Sequence, residues 1–302
     1  MPSTPPIVLT IAGFDPSSGA GITADIKVIA AQECYGVACI SALTVQSTQG
    51  VGRVQAAPHE IITATLEMLV ADLSIAAVHI GMMANEHVVG AVADFLERTR
   101  LPHVVLDPIL RSTSGAELLN SAGTRVMVER LFPLAELVTP NLDEAAALTG
   151  MEVASAAAAS GSSQVASLGA SVESMREAAR RLHSLGAANV VVTGGHLEKA
   201  IDLLSFGTAH GIEQEIFKAE RQRSTSTHGT GCAFATALAC HLAHGRGLPE
   251  AVLLSKAYIS AAIANAYPLG RGKGPLHHLY RMHQQRRPSQ VVMETEHAHS
   301  RN

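Results

Sequence analysis

A regular alternation of short apolar runs with longer segments of helical spacing constrains the fold of this chain more than any other feature. Apolar runs predict buried strands at residues 7–12, 37–45, 77–80, 103–106, 137–139 and 190–193. Helical spacing separates them, at residues 19–32, 61–73, 88–98, 123–131, 142–148 and 174–185. Such repetition predicts an α/β fold with a mostly parallel sheet and helices on both faces. A hairpin at 201–205 and 214–218 and three helices at 230–243, 249–267 and 276–284 complete the expected order.

Composition narrows the class of protein further. The chain has 302 residues, of which 47% are hydrophobic, so it can bury a large core. A net charge of −4 argues against a nucleic-acid partner. We find neither a signal peptide nor an apolar run near the ~20 residues of a membrane span. Because the four cysteines lack metal-site spacing, we expect reduced thiols in a cytoplasmic protein that uses neither nucleic acid nor membrane.

The segment from His228 to Cys232, with the sequence His-Gly-Thr-Gly-Cys, is the most informative about chemistry. Its two glycines allow a turn whose N–H groups converge, and the helix that follows adds the positive end of its dipole. This predicts an anion site with a thiol beside it. A cysteine at a helix N-terminus can have its pKa lowered from about 8.5 toward neutrality, which would suit a base.

Other polar and glycine-rich segments follow the predicted strands. They are residues 13–21, 46–52, 81–83, 107–114, 140–144 and 194–196. Ligands of parallel sheets bind beyond the carboxyl ends of the strands, so we expect one contiguous site. Asn141 and Glu144 could organise Mg²⁺, or could be a helix cap and its capping-box acid. Asp107 is open to the same two interpretations.

Taken together, six of these stretches resemble the hydroxymethylpyrimidine/phosphomethylpyrimidine kinase family of thiamin biosynthesis, in the ribokinase-like superfamily. They occur in family order at residues 10–21, 42–51, 80–83, 138–146, 194–196 and 228–232. The resemblance implies a ribokinase-like three-layer α/β/α sandwich with a mostly parallel central sheet. It implies ATP-dependent phosphorylation of 4-amino-5-hydroxymethyl-2-methylpyrimidine and then of its monophosphate.

The resemblance also assigns roles to residues of this chain. Cys232 is implied as the base, and an anion hole is implied at Gly229, Thr230 and Gly231. The substrate-binding set is implied to comprise Gly13, Ala20, Asp25, Gln46 and Met82, with Gln46 on the aminopyrimidine edge. The nucleotide side is implied to comprise Asn141, Thr193, Gly194, Gly195 and Lys256, with Asp107 and Glu144 as the Mg²⁺ ligands. From spacing alone, Lys256 could equally be a solvated lysine and Met82 a core residue.

Several expectations about organisation accompany the resemblance. Residues 1–285 are expected to form one kinase domain with a flexible insertion near 154–171, and residues 286–302 a disordered polar tail. ATP and Mg²⁺ are the expected cofactors, a monovalent cation is left open, and the resemblance implies a homodimer.

One departure from the family pattern keeps alternatives open. Thr193 stands where many relatives carry a lysine that touches the ATP phosphates, so weaker ATP binding or a changed metal dependence is an open alternative. A pyridoxal kinase on the same scaffold is the nearest alternative function, and a non-catalytic ligand-binding relative is another. A dinucleotide oxidoreductase fits poorly because the glycine spacing is wrong.

Overall fold

The computed structural model describes residues 4–112, 114–151, 164–194, 200–222 and 224–284, with the backbone alone for 164–171 and 283–284. The strands of this part of the chain are β1 (Ile7–Phe14), β2 (Tyr35–Ser47), β3 (Gly50–Ala56), β4 (Ile75–Ile80), β5 (Val104–Leu106), β6 (Leu137–Val138), β7 (Val190–Gly194), β8 (Ala200–Thr208) and β9 (Gly211–Ala219). The helices are α1 (Gly21–Ala31), α2 (His59–Asp72), α3 (Glu86–Thr99), α4 (Ser121–Val126), α5 (Leu142–Thr149), α6 (Gln164–Ser184), α7 (Thr230–Ala243), α8 (Leu248–Ala264) and α9 (Tyr280–Gln284).

A single sheet runs through the described residues in the order β3-β2-β1-β4-β5-β6-β7-β8-β9. Strands β2, β1, β4, β5, β6 and β7 are parallel, whereas β3, β8 and β9 pair antiparallel. The parallel centre confirms the prediction from strand–helix alternation. All of its carboxyl ends lie at one edge, where the polar segments follow.

Alternate residues of the strands enter two separate cores. Leu9, Val78 and Leu106 pack with α2, α3 and α6 on one face of the sheet. Val8 and Val105 pack with α1, α7 and α8 on the other face. Since side chains alternate along a strand, each parallel strand must be apolar on both faces, which explains its continuous apolar sequence. The three-layer α/β/α sandwich is therefore confirmed.

Some local expectations were wrong. Strand β3 was not predicted, because its two glycines and its exposed polar residues weaken the strand pattern of this edge strand. Residues 164–171, expected in a flexible loop, form the first turns of α6 and so extend the helix predicted at 174–185 toward its N-terminus. The rest of that expected loop, residues 154–163, lies outside the described residues, as does the expected tail at 286–302. Helix α9 begins at Tyr280, four residues later than expected.

No helix among the described residues has the length and apolar character that crossing a bilayer requires.

Candidate active site

A cleft of about 880 Å³ opens at the carboxyl edge of the sheet. Each polar segment that follows a predicted strand contributes described residues to it except 194–196, of which only Gly194 is described and whose neighbour Thr193 lines the cleft. Lining residues from the predicted site are Gly13, Ala20, Asp25, Gln46, Met82, Asp107, Asn141, Glu144, Thr193, Gly229, Thr230, Gly231, Cys232 and Lys256. The structure therefore brings together most residues singled out in the sequence, although they come from all parts of the chain.

The turn before α7 has the conformation that an anion site needs. Gly229 is the N-cap of α7 and has a left-handed φ of 78°. A Cβ at this position would lie 2.0 Å from the carbonyl oxygen of Gly19, so only glycine fits. The N–H groups of Gly231 and Cys232 belong to the first turn, where a helix offers no internal acceptor. These N–H groups line the cleft and can receive an anion.

Asp15 and His228, which were not predicted as site residues, tie this turn to the loop after β1. The Asp15 carboxylate accepts hydrogen bonds from the N–H of Ser17 at 2.8 Å and of Ala20 at 3.0 Å. It also lies 2.9 Å from Nε2 of His228. Burial raises the pKa of Asp15, but hydrogen bonds from His228 and Ser17 outweigh it and leave that pKa below its usual value. Asp15 is therefore an anionic anchor for both loops.

Gln46 is held by the same cluster. Its Nε2 lies 3.1 Å from Nε2 of His228, and its Oε1 accepts a hydrogen bond from the Thr44 hydroxyl at 3.2 Å. Since Nε2 of His228 donates its hydrogen to Asp15, it cannot also accept one from Gln46, so the Gln46 amide is held through Oε1 and its N–H groups can serve a ligand in the cleft. This arrangement suits the implied contact of Gln46 with a flat heterocycle.

The environment of Cys232 contradicts the expected lowering of its pKa. Burial, reinforced by the charges of Asp107 and Asp25, raises the pKa of the Cys232 thiol well above its usual value. These effects outweigh the helix N-terminus, because a second negative charge is disfavoured beside two buried carboxylates. Cys232 is thus a neutral thiol that hydrogen-bonds Asp107.

Asp107 and Glu144 form a pair of carboxyl groups that repel one another. Burial and the charge of Glu144 raise the pKa of Asp107 well above its usual value. Burial likewise raises the pKa of Glu144 to about 7. Among the described residues, no group of three or more His, Cys, Asp and Glu side chains is arranged to hold a metal. Two carboxylates nevertheless fit Mg²⁺, which commonly takes its other ligands from water and substrate phosphates.

Asn141 and Glu144 also form a capping box at the start of α5. Asn141 Oδ1 accepts the Glu144 N–H at 2.9 Å, and Glu144 Oε2 accepts the Asn141 N–H at 3.0 Å. This confirms the capping interpretation of the pair. Capping fixes the Glu144 carboxylate at the cleft wall, so it is compatible with a metal role for the other oxygen.

Asp25 lies deeper than a simple substrate ligand would. Its two oxygens accept hydrogen bonds from Thr10 at 2.8 Å and from Thr236 at 2.9 Å. Nδ1 of His79 lies 3.4 Å from Asp25 Oδ2, and Nε2 of His79 is buried without a hydrogen-bond partner among the described residues. Because the single hydroxyl hydrogen of Thr236 is shared between Asp25 and the Cys232 carbonyl oxygen 2.8 Å away, this network supports the first turn of α7 from below.

Lys256 is not the solvated lysine that spacing alone allowed. Its Nζ lies 2.6 Å from Oδ2 of Asp202, and both side chains are about 10% exposed. Asp202 pairs with Thr193 across β7 and β8 and accepts the N–H of Gly194 at 3.2 Å. A lysine charge is therefore present beside Thr193, although it comes from α8 instead of β7. Gly195 lies outside the described residues.

Gly13 and Met82 meet at the other end of the cleft. A Cβ on Gly13 would lie 2.9 Å from the sulfur of Met82, so the glycine makes room for this side chain. Met82 also packs with Ala42 and Leu118, and it is 7% exposed. Met82 is therefore partly a core residue and partly the apolar wall of the cleft.

Four residues with evident structural roles in the site were missed. Asp15 and His228 lie within recognised motifs, and their polarity beside glycines was the available signal. His79 and Asp202 each interrupt an apolar strand, at 75–80 and 200–208. A titratable residue in a buried strand needs a partner, and this pattern could have identified both.

Comparison with known proteins decides the family. The sequence profile of the family described as phosphomethylpyrimidine kinase matches residues 15–277. The protein belongs to the phosphomethylpyrimidine kinase family. The family resemblance found in the sequence is thereby confirmed.

Two relatives and one solved structure illustrate what this phosphomethylpyrimidine kinase family member is similar to. The chain is 42% identical over 274 residues to a thiamine biosynthesis bifunctional protein of Geobacter sulfurreducens, covering 90% of this chain but only 52% of that protein. It is 37% identical to a hydroxymethylpyrimidine/phosphomethylpyrimidine kinase of Mycobacterium leprae, covering 92% of this chain and 96% of the relative. An ADP complex of Bacillus subtilis pyridoxal kinase has a TM-score of 0.78 at 31% identity, covering 91% of this chain and 98% of that one.

Proposed function

We propose that this protein transfers the γ-phosphoryl group of ATP to 4-amino-5-hydroxymethyl-2-methylpyrimidine, and then a second one to the resulting monophosphate. The observation that carries the proposal is the first turn of α7, which directs N–H groups and a thiol into a cleft between a hydrogen-bonding wall and two carboxyl groups. Phosphoryl transfer depends mainly on positioning and charge stabilisation, and this turn supplies both.

On the acceptor side, Gln46 would pair with the aminopyrimidine edge, and Gly13, Ala20 and Met82 would enclose the ring. Asp15 would keep His228 in place beside the Gln46 amide, whose nitrogen lies 3.1 Å from Nε2 of His228. Asp25 would act mainly through Thr236 and the α7 turn, because both of its oxygens already accept threonine hydroxyls. The ring would thus be oriented with its hydroxymethyl group toward Cys232.

On the phosphate side, the N–H groups of Gly229, Thr230, Gly231 and Cys232 would receive the transferred group. Asp107 and Glu144 would hold Mg²⁺, which when bound would neutralise phosphate charge. The small fraction of Cys232 that is deprotonated would accept the alcohol proton late in the reaction. Lys256 would supply the cation that Thr193 lacks, with Asn141 and Gly194 shaping the wall around it. No contact for a monovalent cation is proposed.

The test is a parallel turnover assay with ATP and Mg²⁺. The acceptors are the pyrimidine alcohol, its monophosphate and pyridoxal, with ADP release and product mass as readouts. Turnover of both pyrimidines is the expected result, and Gln46→Leu should raise the KM for the alcohol with little change in that for ATP. Turnover of the alcohol without turnover of its monophosphate would contradict the proposed second phosphorylation.

The second candidate is a pyridoxal kinase, which the likeness to the Bacillus subtilis enzyme supports. Pyridoxal also carries a hydroxymethyl group on a flat nitrogen ring. Turnover of pyridoxal alone would favour this function over the first. Absence of turnover together with absence of ATP binding in calorimetry would indicate a non-catalytic relative.

We also propose a homodimer formed through the outer face of the β2–β3 hairpin. Leu43 and Val45 are 53% and 66% exposed on this face, which is unusual for neighbouring apolar strand residues. Light scattering should give a dimer for the unmodified protein and a monomer for the double variant Leu43→Asp/Val45→Asp. Ile212→Asp, at an equally exposed apolar residue of β9, is the matched control and should stay dimeric.

A further inference from the structure

Two free cysteines, Cys34 and Cys240, lie together away from the cleft. Cys34 is in the turn between α1 and β2, and Cys240 is in the last turns of α7. Both thiols pack in the same buried cluster and each shifts the pKa of the other, although they are about two hundred residues apart in sequence. Nothing in the proposed kinase reaction uses either thiol.

His244, just after α7, completes the cluster. Its Nε2 lies 3.3 Å from the sulfur of Cys34 and 2.9 Å from the carbonyl oxygen of Gln32. A carbonyl oxygen can only accept, so Nε2 must carry a hydrogen. The same N–H is shared with the sulfur 3.3 Å away and favours the thiolate, whereas the Cys34 S–H, when present, donates to the Gln32 carbonyl oxygen at 3.6 Å. His244 is exposed, which places Cys34 directly below the surface.

The two thiols are electrostatically unequal. The hydrogen bond from Cys240, opposed by burial and aided by His244, lowers the pKa of Cys34 to about 7, although the charge of Glu33 acts in the other direction. Burial raises the pKa of Cys240 well above its usual value. Cys39 offers a contrast inside the same fold, because burial raises its pKa to about 11. Cys34 therefore carries thiolate character while Cys240 keeps its proton.

We propose that Cys34 is a site of oxidation by hydroperoxides and that Cys240 is its resolving thiol. The Cys34 thiolate attacks one peroxide oxygen, the O–O bond breaks, and the leaving hydroxide takes a proton to become water. Cys34 is then a sulfenic acid. The Cys240 sulfur attacks the Cys34 sulfur, the S–O bond breaks, and a second water leaves with the Cys240 proton. The two thiols lose two electrons in all, and the peroxide is reduced to water.

The first test treats the full-length protein with one equivalent of hydrogen peroxide and maps peptides without reduction. The expected product is an intramolecular disulfide that joins the Cys34 and Cys240 peptides and lacks two hydrogens. In Cys240→Ser, a sulfenic-acid trap such as dimedone should label Cys34. In Cys34→Ser, Cys240 should stay reduced. Disulfides between chains, or oxidation that begins at Cys39 or Cys232, would overturn the proposal.

A kinetic test needs no change at either cysteine. The rate of Cys34 alkylation by iodoacetamide should be half-maximal near pH 7, the value to which the pKa of Cys34 is lowered. Cys34 should be alkylated at least tenfold faster than Cys39. His244→Leu should slow the alkylation of Cys34 about tenfold, because it removes the N–H. His241 is the other histidine at the end of α7, and His241→Leu should leave this rate unchanged. Alkylation of Cys34 with the pH profile of an ordinary thiol, half-maximal near pH 8.5, would contradict the assignment.

Discussion

Nζ of Lys256 lies 2.6 Å from Oδ2 of Asp202 inside the cleft, and the carboxylate also accepts the N–H of Gly194. The pair joins α8 to the end of β7, next to the position where the family resemblance leads one to expect a lysine. Lys256→Met should therefore have two effects. It should weaken ATP binding, and it should destabilise the fold by about 3–5 kcal/mol, because Asp202 would be left buried without its partner.

Urea unfolding and ATP titration measure the two effects separately. The double variant Asp202→Asn/Lys256→Met should regain most of the stability, since no charge is left unpaired, but not the ATP affinity. Equal stability of Lys256→Met and the unmodified protein would show that the pair is not buried as described.

Thr193→Lys should strengthen ATP binding by about tenfold, the usual effect of one charge-assisted hydrogen bond. Thr193 lines the cleft opposite Asp202, so a lysine there would add a second cation near the first. The KM for ATP measures the effect, and Thr193→Met is the control of similar length without charge. An unchanged KM in both variants would mean that Lys256 already satisfies the phosphates.

More of the fold than of the candidate site could be predicted from the sequence. Strand–helix alternation depends on local periodicity, so the parallel sheet and its two helical layers were within reach. The contact between Asp15 and His228 spans 213 residues and has no local signature. The pKa of Cys232 was misjudged for the same reason, because Asp107 and Asp25 approach it only in the folded chain.

Cys232→Ala should lower turnover by about 10²-fold, the usual scale for loss of an acid–base group, while the protein still folds. Because the pKa of Cys232 is raised, its deprotonated fraction increases with pH, and turnover of the unmodified protein should increase with it across the neutral range. The pH–rate profile of the variant should be flatter. Near-normal turnover of Cys232→Ala would show that the thiol is not the base and that the turn contributes to turnover through its backbone N–H groups alone.

Mg²⁺ should stabilise the protein more at high pH than at low pH. The pKa of Glu144 is raised from 4.5 to about 7 by burial, so the unfolded chain loses this proton first and stability falls as pH rises between these values. A bound cation would remove that penalty. The rise in Tm on adding Mg²⁺ should therefore be larger at about pH 8 than at about pH 5, where the folded carboxyl is protonated.

Glu144→Gln tests the assignment, because glutamine preserves the capping box but carries no charge. The variant should lose the part of the Mg²⁺ effect that follows the titration of Glu144, while the part due to Asp107, whose pKa is also raised, remains. Asp143→Asn, at the exposed neighbouring acid, is the matched control and should behave like the unmodified protein. A pH-dependent Mg²⁺ effect of unchanged size in Glu144→Gln would show that Glu144 is not a ligand.

The close approach of Gly229 to Gly19 also bears on the order in which the protein folds. A Cβ at residue 229 would lie 2.0 Å from the Gly19 carbonyl oxygen, so the two loops have one mutual arrangement. The loop after β1 leaves the ribosome early, yet its partners at 228 and 229 emerge only after most of the chain. Contacts of such long range form late, when the intervening segments are already compact. A nascent chain that stops before α7 lacks both the helices α7 and α8, which cover one face of the sheet together with α1, and the phosphate site, so ligand binding reports completion of the whole domain.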